Sequence, residues 1–117
     1  MFINFCKSKI ANATITQTEL YYNGSITIDE KSIKAVGIIP GEKVEVLNIN
    51  NGSRIETFVI AGKAGSGAIC LNGPAARFGC VGDQLIILSY CLLDSKEAQK
   101  IKTKIAELNK NNKLKVV

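Results

Sequence analysis

One pattern occurs twice in this chain, 41 positions apart, and it constrains the fold more than any other feature. From Ala35 to Leu47 the sequence contains a small residue, a Gly-acid turn and an aliphatic run, and the same order recurs from Ala76 to Leu88. This recurrence predicts two similar halves that fold together. Several short strands with few helices also favour a small closed β-barrel.

Turn and capping residues divide the remaining sequence into short elements. A helix is predicted over residues 31–36, closed by Gly37, because glycine readily takes the left-handed backbone that ends helices. Asn51-Gly52 predicts a hairpin turn. The predicted strands are residues 10–18, with Lys9 at the start, 25–29, 44–49, 55–61, 69–71 and 85–93, the last expected to be the most buried.

The end of the chain differs in kind from the rest. Residues 94–97 resemble a helix cap, and Ala98, Ile101, Ile105 and Leu108 follow at helical spacing, which predicts an amphipathic helix. We therefore divide the chain into a barrel domain, residues 1–93, and a basic C-terminal helix and tail, residues 94–117. The net charge of +5 lies in residues 96–117, which hold seven Lys against two Glu. A basic tail is usually a solvated helix face, so no nucleic-acid partner is expected.

Composition excludes several further classes of protein. With 117 residues and 46% hydrophobic content, the chain forms one domain with a modest core. The four cysteines make no C-x-x-C pair and histidine is absent, so we expect no metal and predict buried, reduced thiols in a cytoplasmic protein. The longest apolar run, residues 85–93, is too short to span a bilayer, and no membrane partner is expected.

The segment from Tyr22 to Asp29 contains the most reactive arrangement in the sequence. Gly24 is the residue best able to take a strained backbone, and Ser25 places a hydroxyl beside the Gly24 carbonyl. If that carbonyl is polarised, the hydroxyl can attack it and convert the amide into an ester. The alternative is an ordinary hairpin turn, because Asn-Gly between strand-like segments is a standard turn signal.

The sequence around this segment resembles the pyruvoyl-dependent aspartate 1-decarboxylase family. The resemblance covers residues 1–93 and implies a mainly β protein, a six-stranded double-psi β-barrel with short helices and a C-terminal helix. The matching motifs are Lys9-Ile10, residues 13–16, residues 20–29, Gly37-Ile38, residues 51–54, Thr57, Asn72-Gly73, Ala75-Ala76 and Gly82-Asp83.

The resemblance implies an enzyme that makes its own cofactor. The chain would cleave itself between Gly24 and Ser25, and Ser25 would become a covalently bound pyruvoyl group that forms a Schiff base with the substrate, without metal or pyridoxal phosphate. Such a ketone serves as an electron sink. The implied reaction converts L-aspartate into β-alanine and carbon dioxide for pantothenate and coenzyme A synthesis. A cytoplasmic homotetramer is implied, with a maturation factor in some relatives.

The resemblance also implies roles for individual residues. Arg54 and Lys9 would bind the two carboxylates of aspartate, since the first offers a planar fork and the second a point charge. Thr57 and Asn72 would polarise the Gly24 carbonyl or orient the ketone. Tyr22 would line the pocket, and the remaining substrate-binding positions are Gly73, Ala75 and Ala76. Taken singly, each of these residues has an ordinary structural explanation as a surface, strand or turn residue.

Two departures from the family pattern concern the chemistry. Phe58 stands where the family has a tyrosine regarded as the proton donor, and phenylalanine has no proton to donate. Pro74 replaces an alanine and removes a backbone N–H. Two alternatives follow: a catalytically silent barrel that acts as a binding or regulatory module through its basic tail, or a decarboxylase that matures but prefers another acid.

Overall fold

The computed structural model describes residues 1–115, which form a mainly β protein as predicted. These residues form eight strands, two α-helices and one 3-10 helix. The strands are β1 (Phe2–Thr14), β2 (Gln17–Glu19), β3 (Ser25–Asp29), β4 (Lys43–Asn48), β5 (Arg54–Gly62), β6 (Ile69–Asn72), β7 (Gln84–Asp94) and β8 (Lys104–Glu107); the helices are α1 (Glu30–Val36), α2 (Ser95–Ala98) and the 3-10 helix Gly73–Phe78. Residues 116 and 117, the end of the predicted basic tail, lie outside the described residues.

All eight strands join one sheet in the order β2-β6-β3-β5-β4-β7-β1-β8. Strand β3 lies between β6, which is antiparallel to it, and β5, which is parallel. The expected number of strands was six, and the difference arises because the short strands β2 and β8 extend the two ends of the sheet. The first residue of β3 is therefore surrounded by paired backbone.

The repeated pattern in the sequence corresponds to two strands that lie side by side. Strands β4 and β7 are antiparallel neighbours, and Val46 pairs with Ile87, its equivalent in the second half. Both side chains are buried in the core. The two halves thus meet along the strands that the repeat predicts, as expected for similar units folded together.

Burial is most complete in β6 and β3, the second and third strands of the sheet, whereas we had predicted that β7 would be the most buried. All four residues of β6 are buried, and four of the five residues of β3. In β7 buried residues alternate with outward-facing ones, and Tyr90 and Leu92 are exposed. The prediction was wrong because an apolar run also forms when one face of a strand turns away from the core.

Strand β1 is longer than the sequence suggested and begins at Phe2, so Lys9 lies in its middle and not at its start. Its pairing with β7 shifts register between Cys6 and Ser8 and again between Ile10 and Ala13. Asn12 has a left-handed backbone (φ 62°) within the second shift, a conformation that asparagine tolerates better than most residues.

The amphipathic helix predicted for the C-terminal segment is wrong beyond Ala98, where α2 ends after one turn. The chain then forms β8, which pairs in parallel with β1 so that Ala106 lies opposite Ile10. Ala106 and Leu108 are buried, whereas Ile101 and Ile105 are exposed. Pairing with the outer edge of β1 gives the backbone hydrogen bonds that a helix would otherwise provide, so tertiary structure overrides the helical spacing.

The four cysteines are free, and only Cys70 is buried, whereas burial of all four had been predicted. Cys80 lies exposed just before a surface turn, and Cys6 and Cys91 are half-buried on β1 and β7. No helix within residues 1–115 is both long enough and apolar enough to cross a membrane.

Asp29 connects three parts of the structure at the end of β3. Its carboxylate accepts hydrogen bonds from the backbone N–H of Lys31 at 2.9 Å, which caps α1, and from those of Gly65 at 2.9 Å and Gly67 at 2.8 Å. Burial alone would raise the pKa of Asp29, but these N–H groups, with the charge of Lys113, hold that pKa below its ordinary value. The ionised form is therefore the one that stabilises the fold.

We expect Asp29→Ala to lower the free energy of unfolding by about 1–2 kcal/mol, because an N-cap and two loop hydrogen bonds are lost together. Because the folded pKa is depressed, the contribution of Asp29 is fully present above its unfolded pKa and is lost as pH falls through the folded pKa. Urea unfolding at neutral and acidic pH measures both effects, in a Ser25→Ala background so that every molecule remains a single chain.

Asp94→Ala is the matched control, because Asp94 caps the single-turn α2 through Lys96 and its side chain otherwise pairs, within residues 1–115, only with the exposed N-terminal amino group, and it is partly exposed itself. Its loss should cost less than that of Asp29. Equal costs for the two substitutions would show that the bonds to Gly65 and Gly67 contribute nothing to stability.

Candidate active site

Ser25 begins β3 and is completely buried. Its Oγ accepts a hydrogen bond from Asn72 Nδ2 at 3.0 Å and donates one to the carbonyl oxygen of Asn23 at 3.3 Å. Ser25 and Asn72 are also direct cross-strand partners in the β3–β6 ladder. A buried hydroxyl held by a side-chain amide beside a Gly-Ser peptide bond is a candidate nucleophile.

The Asn72 amide forms hydrogen bonds with three polar side chains, one of which is Ser25. Its Nδ2 also donates to Thr27 Oγ1 at 2.9 Å, and its Oδ1 accepts from Cys70 Sγ at 3.2 Å. The sequence interpretation assigned Asn72 to polarise the Gly24 carbonyl or to orient the ketone, and in the structure its N–H groups donate to two hydroxyls. Thr27 and Cys70 were missed, although their two-residue spacing from Ser25 and Asn72 on predicted strands places them on the same faces.

The chain before Ser25 is a bend and not a hairpin, so the alternative interpretation of Asn23-Gly24 is wrong. Strands β2 and β3 do not pair with each other, because β6 lies between them. Gly24 does not have a left-handed backbone, whereas Gly73 does (φ 65°). A Cβ at Gly73 would lie 2.5 Å from the Tyr22 carbonyl oxygen and 2.9 Å from the Gly24 nitrogen. Gly73 thus permits the close approach that fixes residues 22–24.

The residues that follow Gly73 also lie close to the Gly24-Ser25 bond. A Cβ built on Gly24 would lie 3.7 Å from Pro74 Cδ, so the proline ring packs against the Gly24-Ser25 segment. Pro74 is the second residue of the 3-10 helix, in which Ala75 is buried and Ala76 half-buried. The Tyr22 side chain is 57% exposed and does not line a closed pocket in this chain.

Thr57 lies on β5 beside the start of β3. Ile26 pairs with Val59 in the parallel β3–β5 ladder, Thr57 lies two residues before Val59, and Gly24 lies two residues before Ile26, just ahead of β3. Thr57 is half-buried, and the next residue, Phe58, is 43% exposed. The structure therefore brings Gly24, Ser25, Asn72 and Gly73 together and places Thr57 on the strand next to β3.

Arg54 begins β5 and is already paired. Its Nη1 lies 2.5 Å from Glu45 Oε1, and Tyr90 Oη donates to the same oxygen at 2.8 Å. Burial and the neighbouring carboxylate of Glu45 raise the pKa of Tyr90, which keeps its hydroxyl protonated as a donor. The sequence interpretation identified Arg54 but missed both of its partners.

Lys9 lies on β1. In the sheet order, three strands lie between β1 and β3, namely β5, β4 and β7. Lys9 pairs with Leu88 and Arg54 pairs with Leu47, and these two leucines are equivalent residues of the repeat. The two cations therefore occupy corresponding places in the two halves. The sequence interpretation assigned them to the two carboxylates of one substrate, and within one chain three strands lie between the strand of Lys9 and that of Ser25 in the sheet order.

Comparison with known proteins decides the family. A family profile described as aspartate decarboxylase matches residues 1–115. The chain belongs to the aspartate decarboxylase family. An aspartate 1-decarboxylase of Caldicellulosiruptor bescii is 55% identical over 114 residues, which cover 97% of this chain and 89% of that protein. An aspartate 1-decarboxylase of Bacillus subtilis is 50% identical over 114 residues, covering 97% and 90%.

The fold of this family member is also found in solved structures. The crystal structure of the rationally designed mkDPBB_sym_86 protein matches with a TM-score of 0.51 and 18% identity, over 68% of this chain and 92% of that one. The initials denote a double-psi β-barrel, so the predicted fold class is confirmed. The resemblance stated from the sequence is confirmed as well, and it extends past residue 93 into the C-terminal segment.

In this aspartate decarboxylase family chain, we expect Gly73→Ala to lower the free energy of unfolding by clearly more than Gly52→Ala. Both glycines have a left-handed backbone, which is less favourable for alanine than for glycine by about 1–2 kcal/mol. Nothing lies within 4 Å of a Cβ at Gly52, whereas a Cβ at Gly73 would overlap the Tyr22 carbonyl. Urea unfolding of both variants separates the two costs. Equal losses of unfolding free energy would show that residues 22–24 can move aside to accommodate the alanine side chain, contrary to their close packing on Gly73.

Proposed function

We propose that this chain cleaves itself between Gly24 and Ser25 and uses the pyruvoyl group formed from Ser25 to convert L-aspartate into β-alanine and carbon dioxide. The observation that carries the proposal is the buried Ser25 Oγ held by Asn72. The names and high identity of the relatives support the substrate. β-Alanine formed in the cytoplasm would supply pantothenate and coenzyme A synthesis.

The cleavage requires no group from outside the chain other than water. Ser25 Oγ attacks the Gly24 carbonyl carbon, the bond from that carbon to the Ser25 nitrogen breaks, and the nitrogen takes up the hydroxyl proton. Loss of the Ser25 α-proton then breaks the Cβ–Oγ bond and releases the Gly24 carboxylate. Water replaces the nitrogen, which leaves as ammonia. Asn72 would hold Oγ in place, and Thr57, on the neighbouring strand β5, would polarise the Gly24 carbonyl.

The residues around Ser25 fit a pyruvoyl group. When formed, its ketone supplies the electron sink that decarboxylation needs. Asn72 offers N–H donors suited to oxygen atoms at this position, and Gly73 leaves the backbone space that a side chain would fill. The 3-10 helix places the small residues Ala75 and Ala76 on the same segment, where they leave room for a small substrate.

We propose that Lys9 and Arg54 bind the substrate carboxylates at a boundary between subunits of a homotetramer. Three strands lie between those of Lys9 and Ser25 in the sheet order of one chain, and a neighbouring copy would bring both cations to the ketone. The Arg54 side chain is 56% exposed, and its pair with Glu45 is therefore weak enough for a substrate carboxylate to compete. A maturation factor would act on the rate of cleavage.

The deciding experiment is the intact mass of the denatured protein after maturation. We expect two fragments, residues 1–24 and 25–117, with the larger lighter by one ammonia than a serine terminus and shifted by borohydride reduction of its ketone. Ser25→Ala should remain one chain without a ketone. Ser66→Ala is the matched control, because Gly65-Ser66 is another Gly-Ser bond, in an exposed loop, and its loss should leave cleavage unchanged.

A chain that stays intact even after cell extract is added would contradict the proposal. The silent barrel would then become the preferred function, with salt-dependent binding to nucleic acid through residues 96–117 as its own test. A cleaved protein that releases no β-alanine from aspartate would retain the maturation but require a different acid as substrate. Decarboxylation of a different acid is favoured specifically by Phe58, which lies where the family resemblance places a tyrosine.

Phe58→Tyr is expected to raise kcat for decarboxylation by about 10²-fold, the low end for a positioned proton donor, because a hydroxyl replaces a ring hydrogen at the same site. Cleavage and KM should change little, since Phe58 is exposed and makes no part of the Ser25 hydrogen-bond network. Tyr22→Phe in the same assay tests the other candidate donor. An unchanged kcat in Phe58→Tyr would show that water or another group donates the proton.

A further inference from the structure

A buried thiol completes the hydrogen-bond network around Ser25. Cys70 lies on β6 directly opposite Thr27 and is 7% exposed. Its Sγ lies 3.2 Å from Asn72 Oδ1, and the next possible acceptor, the Leu71 carbonyl oxygen, is at 3.9 Å. The thiol therefore donates its proton to the Asn72 amide oxygen.

The orientation of the Asn72 amide decides what Ser25 contacts. As observed, both Nδ2 hydrogens are used, one on Ser25 Oγ and one on Thr27 Oγ1. A rotation of the amide by 180° would turn Oδ1 towards the two hydroxyls and Nδ2 towards the Cys70 sulfur. Hydroxyls accept either orientation, since they both donate and accept. A thiol does not, because its sulfur is a weak acceptor.

We propose that Cys70 is a positioning residue for maturation, because its thiol fixes the Asn72 amide with the N–H groups towards Ser25. The inference rests on the proposed self-cleavage at Gly24-Ser25. Burial, and secondarily the charge of Glu19, raise the pKa of the Cys70 thiol, so the sulfur keeps its proton at neutral pH.

The observed orientation suits the elimination step of the cleavage. In that step the Ser25 α-proton leaves, the Cβ–Oγ bond breaks, and its electron pair stays on Oγ, which becomes an oxygen of the Gly24 carboxylate. An N–H of Asn72 then stabilises the developing negative charge on Oγ. The rotated amide would instead present its own oxygen to that charge, which is repulsive.

The test compares cleavage rates of newly translated precursors by intact mass over time. We expect Cys70→Ala to cleave about two- to tenfold more slowly than the parent chain, the effect of losing one hydrogen bond that selects an orientation. Cys70→Ser, whose hydroxyl can still donate to Asn72, should restore most of the rate. Cys91→Ala is the matched control, because this half-buried cysteine lies on β7, away from the site, and its loss should not change the rate.

A double-mutant cycle distinguishes positioning from a general packing effect. If Cys70 acts through Asn72, adding Cys70→Ala to Asn72→Ala should cause no further slowing. A parental rate in Cys70→Ala, a failure of Cys70→Ser to restore cleavage, or additive effects in the cycle would each overturn the inference, provided that the parent chain cleaves.

The orientation itself is measured independently of cleavage by NMR in the Ser25→Ala background. The Asn72 side-chain NH₂ protons should show cross-peaks to Thr27 in the parent and in Cys70→Ser, and weaker ones in Cys70→Ala. A parent chain that never cleaves would overturn the proposed function, and these cross-peaks would still decide the role of Cys70. Equal cross-peaks in all variants would show that Cys70 does not orient the amide.

Discussion

The antiparallel pairing of β3 with β6 is the constraint on which the site depends. Ile26 pairs with Leu71 and Ile28 with Ile69, and these four side chains are almost fully buried. Their burial fixes the register, because a slip by one residue would move all of them out of the core. The alternate positions must then face the other way, which places Ser25 against Asn72 and Thr27 against Cys70. The hydrophobic core thereby sets the polar geometry around the reactive bond.

The predictions that succeeded from sequence rest on local signals. Strand β3 has the predicted bounds, and helix α1 begins one residue earlier than expected and ends at Gly37, which has the left-handed backbone typical of this position. The Ser25 region was found because its motif is continuous in sequence and because the family pattern supplied Thr57 and Asn72 from elsewhere in the chain. A turn, a cap and an alternating run each require only neighbouring residues, so sequence alone suffices.

The features that sequence reasoning missed depend on distant partners. Strand β8 forms because β1 has a free edge, and no pattern within residues 98–108 shows that edge. Glu45 and Tyr90 reach Arg54 across neighbouring strands, so their pairing follows from register and not from spacing along the chain. Cys70 resembled an ordinary buried apolar residue. Its contact with Asn72 becomes visible only when both side chains are on one face of β6.

Strand β1 has a consequence for the cleaved protein proposed above. A cut after residue 24 would leave β1 and β2 on one polypeptide and the other six strands on a second, although β1 runs between β7 and β8 and β2 pairs with β6. The pieces would stay together through their shared sheet. Once denatured, they would have to find each other by diffusion, so regain of structure would depend on protein concentration and slow on dilution. Maturation would thus change folding from a unimolecular into a bimolecular process. The mature enzyme would therefore keep its activity only as long as its native structure persists.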